Sequence, residues 1–155
     1  MSHHRLGLGL WCLVFAPLDL LDGLVARENG KVTAFGGFLD STLDRAADFL
    51  LVAGLFTAGL APLWLAAVLA LCSFLISYTR SRAELAGLGR FQLSIGWMER
   101  TERILLIALA VVAAILFPHA HIFDVQLAAA IIWVLTLAAA WTVWQRIRKA
   151  YALLG

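Results

Sequence analysis

This chain is poor in charge. Only 14% of its 155 residues are Asp, Glu, Lys or Arg, and 63% are hydrophobic, whereas a typical soluble domain has about 25% charged residues. The mean hydropathy of +0.90 excludes a soluble globular enzyme and a disordered segment. The net charge is only +2, too small to draw a polyanion, so no nucleic acid is expected as a partner. Cysteine is almost absent: Cys12 and Cys72 sit in separate apolar runs without paired spacing. That excludes a disulfide framework or a cysteine metal site and leaves both as small buried or lipid-facing residues. There is no signal-peptide cleavage pattern and no low-complexity linker. What remains is an all-α, polytopic transmembrane helix bundle.

Charged residues and helix breakers divide the chain into five apolar stretches. The first runs from Leu6 to Val25. The uncharged run from Phe49 to Tyr78 is too long for one span, and Gly59 and Pro62 break it, because proline cannot continue a helix and glycine weakens one. This predicts helices over Gly36–Ala58 and Pro62–Arg82, followed by Glu99–Phe117 and Val125–Arg146. With the first N-terminus outside, Arg5 is the single basic residue on the outer side and the other eleven fall inside. The outer loops, Thr57–Pro62 and Pro118–Asp124, have no lysine or arginine. Positive charge stays on the cytoplasmic side of such bundles, so the inner ends of the helices face the cytoplasm. Trp97, Trp141 and Trp144 fall near the inner boundary and Trp64 near the outer one.

A carboxylate at the centre of a membrane helix costs about 2.5–3.5 kcal/mol to insert, so each one needs a reason. Asp19, Asp22, Asp40, Asp44 and Asp48 cluster at the inner ends of two consecutive helices. At 100° per residue, Asp19, Asp22, Gly23, Ala26 and Arg27 share one face, and Gly36, Asp40, Asp44 and Asp48 form a stripe at steps of four. Four acids at close quarters repel one another unless a cation is present. All-oxygen donors suit Mg²⁺, Mn²⁺ or Ca²⁺, and four carboxylates can hold two ions about 3.5–4 Å apart, the arrangement used in phosphoryl transfer. Gly23 and Gly36 leave open backbone where a ligand can approach, and Arg27 is placed to meet a phosphate. Asp48 is read equally well as a member of this acidic cluster or as a structural residue, a solvated helix end or a partner of Arg45.

The stretch from Asp19 to Asp44 reads D-x2-D-G-x2-A-R-x8-G-x3-D-x3-D. It resembles the signature of the CDP-alcohol phosphotransferase family at every fixed position. The resemblance implies that Asp19, Asp22, Asp40 and Asp44 hold two Mg²⁺ ions, with Mn²⁺ as the alternative. It implies that Asp44 is the catalytic base for the acceptor hydroxyl, and that Asp22, Gly23, Ala26, Arg27 and Gly36 serve the nucleotide. A second stretch, S-Y-x-R-x-R-A-E from Ser77 and G-x-x-E-R-x-E-R from Gly96, resembles the branch that makes phosphatidylinositol phosphate or archaetidylinositol phosphate. In that branch basic residues of these segments bind the acceptor phosphate, here Arg80, Arg82 and Arg103. Arg90 is read as ordinary membrane anchoring. Glu99 and Glu102 are read as partners of Arg100 and Arg103.

The implied reaction is transfer from CDP-diacylglycerol or CDP-archaeol to inositol 1-phosphate or another phospho-alcohol, releasing CMP at the cytoplasmic face of the plasma membrane. Glycerol 3-phosphate is the rival acceptor, and an ion-binding membrane bundle or an inactive fragment is the non-enzyme alternative. The family typically has six spans, one of them before the motif. Only 18 residues precede Asp19, so a single domain over residues 1–155 lacking its N-terminal span is expected. The resemblance also implies a homodimer, and the small residues Ala128–Ala130 and Ala138–Ala140 permit close helix packing.

Overall fold

A computed structural model of the chain describes residues 33–88, 95–122 and 125–154. Two compact units divide it, residues 1–60 and 61–155. The described part of the first is one helix, α1 (Ala34–Thr57). It begins two residues before the predicted Gly36 because Thr33 caps it: the extended Thr33 accepts the Gly36 N–H on its Oγ1 at 3.0 Å. Such a cap is worth about 1 kcal/mol. The first turns of α1, with Asp40, are exposed and Asp44 and Asp48 are half-buried, whereas Leu51, Val52, Gly54 and Leu55 near the other end are buried. The helix stops at Gly59, with φ of 73°. The Gly59 N–H bonds the Phe56 carbonyl at 2.9 Å and the Leu60 N–H bonds that of Leu55 at 3.0 Å, a left-handed C-terminal cap that glycine alone adopts without strain.

The second unit holds α2 (Leu63–Leu85), α3 (Arg100–Leu116), β1 (His121–Ile122), β2 (Val125–Gln126) and α4 (Leu127–Leu154). Pro62 precedes α2 in an extended conformation, which separates it from α1 as the sequence predicts. Gly87, at φ of 87°, closes α2 with the same capping pattern. The predicted outer loop after α3 supplies β1, and β2 takes the first two residues of the predicted last span, in a two-residue antiparallel ladder pairing His121 with Gln126. The last helix departs most from expectation. Its apolar run ends at Arg146, yet the helix continues to Leu154, because Arg, Lys, Ala and Leu are all good helix formers and charge ends a membrane span without ending a helix.

Helix α4 is the spine of this unit, and both α2 and α3 pack on it. Its buried positions Ala128, Ile132, Leu135, Ala139, Thr142 and Arg146 recur at alternating steps of four and three, the rhythm of one continuous helix seam. Leu65, Leu69, Cys72 and Ile76 of α2, and Ile107, Ala110 and Val111 of α3, complete the core. The outward faces remain apolar: Leu71 and Phe74 on α2, Leu105 and Leu109 on α3, Val134 and Leu137 on α4 are all exposed. Apolar exposure on this scale suits lipid, not water. Among the described residues α2 and α4 are long and apolar enough to cross a membrane. Helix α1 is interrupted by acids, and α3, at 17 residues, reaches only about 25 Å. The first predicted span lies outside the described residues.

Candidate active site

Asp40 and Asp44 lie one helical turn apart on α1, so their side chains share a face. Asp40 is exposed and Asp44 half-buried, and Asp48 continues the stripe one turn further in. The neighbouring Arg45 turns back along its own helix, donating from Nη1 to the Ser41 carbonyl. Gly36 stands at the head of the stripe, tucked under the capping threonine. A Cβ there would approach Thr33 Oγ1 to 3.0 Å, so glycine leaves both the cap and the helix end accessible. Two hard oxygen donors on one face, one of them open, fit a divalent cation of the Mg²⁺ or Mn²⁺ type. The other predicted members of this site, Asp19, Asp22, Gly23, Ala26 and Arg27, lie outside the described residues, as does Arg90. No group of three metal-ligating side chains forms among the described residues.

The predicted acceptor residues fall on the second unit. Arg80, near the C-terminal end of α2, is partly exposed and pairs with Glu84 at 3.5 Å. Arg82 is exposed, about 200° around the helix from Arg80. Arg103, one turn into α3, is buried, and its Nη1 donates to the Met98 carbonyl at 3.2 Å.

A fourth arginine organises this end of the bundle. Arg146 on α4 is 2% exposed. Its Nε donates to the Ile95 carbonyl at 3.0 Å and its Nη1 to the Ile76 carbonyl at 2.7 Å, while Nη2 lies 3.8 Å from Glu99 Oε1. Glu99 therefore faces Arg146 across the bundle, a partner that pairing within its own helix does not anticipate. The segment before α3 is also held by shape. Gly96 has φ of 99°, and a Cβ there would lie 2.3 Å from Thr142 Cγ2. Nothing larger than glycine fits between this segment and α4.

Sequence reasoning placed Arg146 at the inner boundary without a role. The four-and-three rhythm of buried positions on α4 ends on this arginine, a seam that the sequence does not mark because α4 is apolar on every side. A charge kept on a buried seam requires partners. Further along α4, Trp141 and Trp144 stack at 4.7 Å and Arg148 lies 5.4 Å from the Trp144 ring. This is an amphipathic belt of the kind found at a membrane surface. At the opposite end His121 Nδ1 is 2.8 Å from the His119 carbonyl.

A model of the CDP-alcohol phosphatidyltransferase family matches residues 1–144. The chain is 47% identical over 102 residues to the archaetidylinositol phosphate synthase of Pyrococcus horikoshii, a match covering 66% of this chain and 53% of that protein. It is 40% identical over 134 residues to the enzyme of the same name from Methanothermobacter thermautotrophicus, covering 84% and 66%. The fold superposes on the phosphatidylinositol phosphate synthase of Mycobacterium tuberculosis, solved with CDP-DAG bound, with a TM-score of 0.72, 29% identity, and coverage of 89% of this chain and 69% of that one. The same synthase has been solved in complex with manganese and citrate. This chain matches between about half and two thirds of the length of the two archaeal relatives.

Proposed function

The chain belongs to the CDP-alcohol phosphatidyltransferase family, and from that premise we propose that it transfers a phosphatidyl or archaetidyl group from a CDP-lipid to inositol 1-phosphate, releasing CMP. The observation that carries this reading is the placement of Asp40 and Asp44 one turn apart on one face of α1, at the spacing of a motif present at every fixed position. The acceptor follows from the Arg80, Arg82 and Arg103 pattern and from relatives named for inositol phosphate products.

In this reading Asp19, Asp22, Asp40 and Asp44 bind two divalent ions, Mg²⁺ or Mn²⁺. When bound, such ions neutralise charge on the diphosphate and on the departing nucleotide. Gly23, Ala26, Arg27 and Gly36, with Asp22, seat the CDP moiety. Asp44 accepts the proton of the inositol hydroxyl as its oxygen bonds to the lipid-side phosphorus. The bond from that phosphorus to the CMP oxygen breaks, and CMP leaves with the electron pair. Arg80, Arg82 and Arg103 hold the acceptor phosphate with charged hydrogen bonds. One substrate carries a lipid tail and the other is water-soluble, so the reaction belongs at a membrane surface. The positive-inside bias supports a multi-pass protein of the plasma membrane with this surface in the cytoplasm. The family resemblance supports a homodimer.

The test is transfer from CDP-diacylglycerol or CDP-archaeol, with inositol 1-phosphate, inositol and glycerol 3-phosphate as separate acceptors. Only inositol 1-phosphate should support rapid, metal-dependent CMP release. Equal rates with glycerol 3-phosphate or with inositol would refute the acceptor assignment.

A further inference from the structure

We propose that the C-terminal end of α4 carries a binding site for the phosphate of an anionic phospholipid, with Arg148 as its donor and Trp144 as the platform that holds it. The site lies on the outward side of the helix and takes no part in the transfer reaction, so it does not rest on the acceptor reading.

The face on which it sits is marked by rhythm. Val134, Leu137, Trp141, Trp144, Arg148 and Tyr151 are all exposed. They recur at alternating steps of three and four, opposite the buried seam that ends at Arg146. Along this stripe the chemistry changes from aliphatic to aromatic to basic. Depth follows from length. Counted from Leu127, the helix reaches Arg148 after about 31 Å at 1.5 Å per residue, against a hydrocarbon core of about 30 Å. Arg148 stands where lipid phosphates begin, and α4 continues to Leu154, about 9 Å further, through the headgroup layer.

Arg148 is set to meet an anion there. Its guanidinium carbon lies 5.4 Å from the centroid of the Trp144 ring, and Trp144 stacks on Trp141 at 4.7 Å. The ring attracts the cation through its face, which orients the in-plane N–H fork toward phosphate oxygens. Helix α4 contains no Asp or Glu to compete for it. A second copy of the chain is a poor occupant of the same stripe. Two copies in one orientation, related by a twofold axis, would set Arg148 against Arg148 at one depth with no acid on α4 between them. Close helix pairing in lipid also favours small residues, and this stripe presents two tryptophans and a tyrosine.

The experiment places the full chain in nanodiscs of equal phosphatidylglycerol and phosphatidylcholine with matched acyl chains. Native mass spectrometry then gives the ratio of the two lipids retained on the protein. The parent should retain phosphatidylglycerol in excess. Arg148 is exposed, so its variants keep the fold. Arg148→Gln should lower the ratio about fivefold, the effect of one cation at a membrane surface. Trp144→Leu and Arg148→Lys should each lower it about 2–5-fold, because the first removes the platform and the second the fork. Lys149→Gln removes the same charge one residue on, about 100° around the helix, and should change the ratio less than about twofold. Excess inorganic phosphate should not displace the lipid. Equal retention of both lipids by the parent, an equal fall in Arg148→Gln and Lys149→Gln, full selectivity in Arg148→Lys or Trp144→Leu, or displacement by inorganic phosphate would overturn the proposal. Spin labels at Leu137, with Cys12 and Cys72 replaced by serine, should show no close approach between copies. A close approach would give the stripe to a second copy and overturn it equally.

Discussion

Gly96 lies directly against Thr142, so close that a Cβ on the glycine would stand 2.3 Å from the threonine Cγ2. This approach joins the segment before α3 to the spine helix at a positive φ of 99°. Gly96→Ala therefore meets both a steric clash and a strained backbone, a destabilisation of about 1–3 kcal/mol. Its thermal midpoint in detergent should fall by several degrees. Adding Thr142→Ala should recover part of the loss, because it removes Cγ2 while the backbone strain stays. A double variant as unstable as Gly96→Ala alone would show that contact with Thr142 is not the cause.

Asp40 and Asp44 share a face of α1 but differ in exposure, and their substitutions should separate accordingly. Asp44→Asn removes the proposed base and should lower kcat by about 10²–10⁴-fold, with CDP-lipid binding surviving better than turnover. Asp40→Asn should chiefly raise the metal concentration needed for half-maximal rate. Kinetics at varied Mn²⁺ distinguish the two, and equal mild effects in both variants would contradict these roles.

Of the proposed acceptor residues, Arg80 and Arg82 project from α2 on different sides, and Arg80 is paired with Glu84. That pair is partly exposed and worth no more than about 1 kcal/mol, so Glu84→Gln should leave acceptor kinetics nearly unchanged. Arg80→Gln or Arg82→Gln should raise the acceptor KM about 10–100-fold, the loss of one charged hydrogen bond. Arg90→Gln should do much less. Unchanged acceptor KM in both the Arg80 and Arg82 variants would remove the basis for inositol phosphate.

The Trp141–Trp144 stack and Arg148 lie together on α4, the pairing of aromatic and basic side chains expected at a membrane surface. A spin label at Leu137 should be more accessible to oxygen, and one at Arg148 to a water-soluble nickel chelate. Equal accessibility at the two positions would displace the boundary.

The helices were legible where breakers or caps punctuate the chain. Gly59 and Pro62 split a run of apolar residues that hydropathy alone would join, and the break falls there. The end of α4 was not legible, because charge marks where lipid stops and helix propensity decides where the helix stops. Likewise the Asp40–Asp44 turn could be read from a spacing of four on one element, whereas the clamp at Arg146 could not. Its partners Ile76 and Ile95 act through backbone carbonyls, which have no side-chain signature, and Glu99 meets it 47 positions away along the chain. Nor could hydropathy show that Arg146 faces inward, because α4 is apolar on its exposed side as well as on its buried one.

Metal-dependent release of CMP driven by inositol 1-phosphate is the most direct test of the proposed reaction. The chain in lipid vesicles with CDP-diacylglycerol and Mn²⁺ should release CMP on addition of inositol 1-phosphate, form phosphatidylinositol phosphate in equal amount, and stop both on chelation of the metal or in the Asp44→Asn variant. CMP release that ignores the acceptor, survives chelation, or proceeds at the same rate with Asn at position 44 would contradict it.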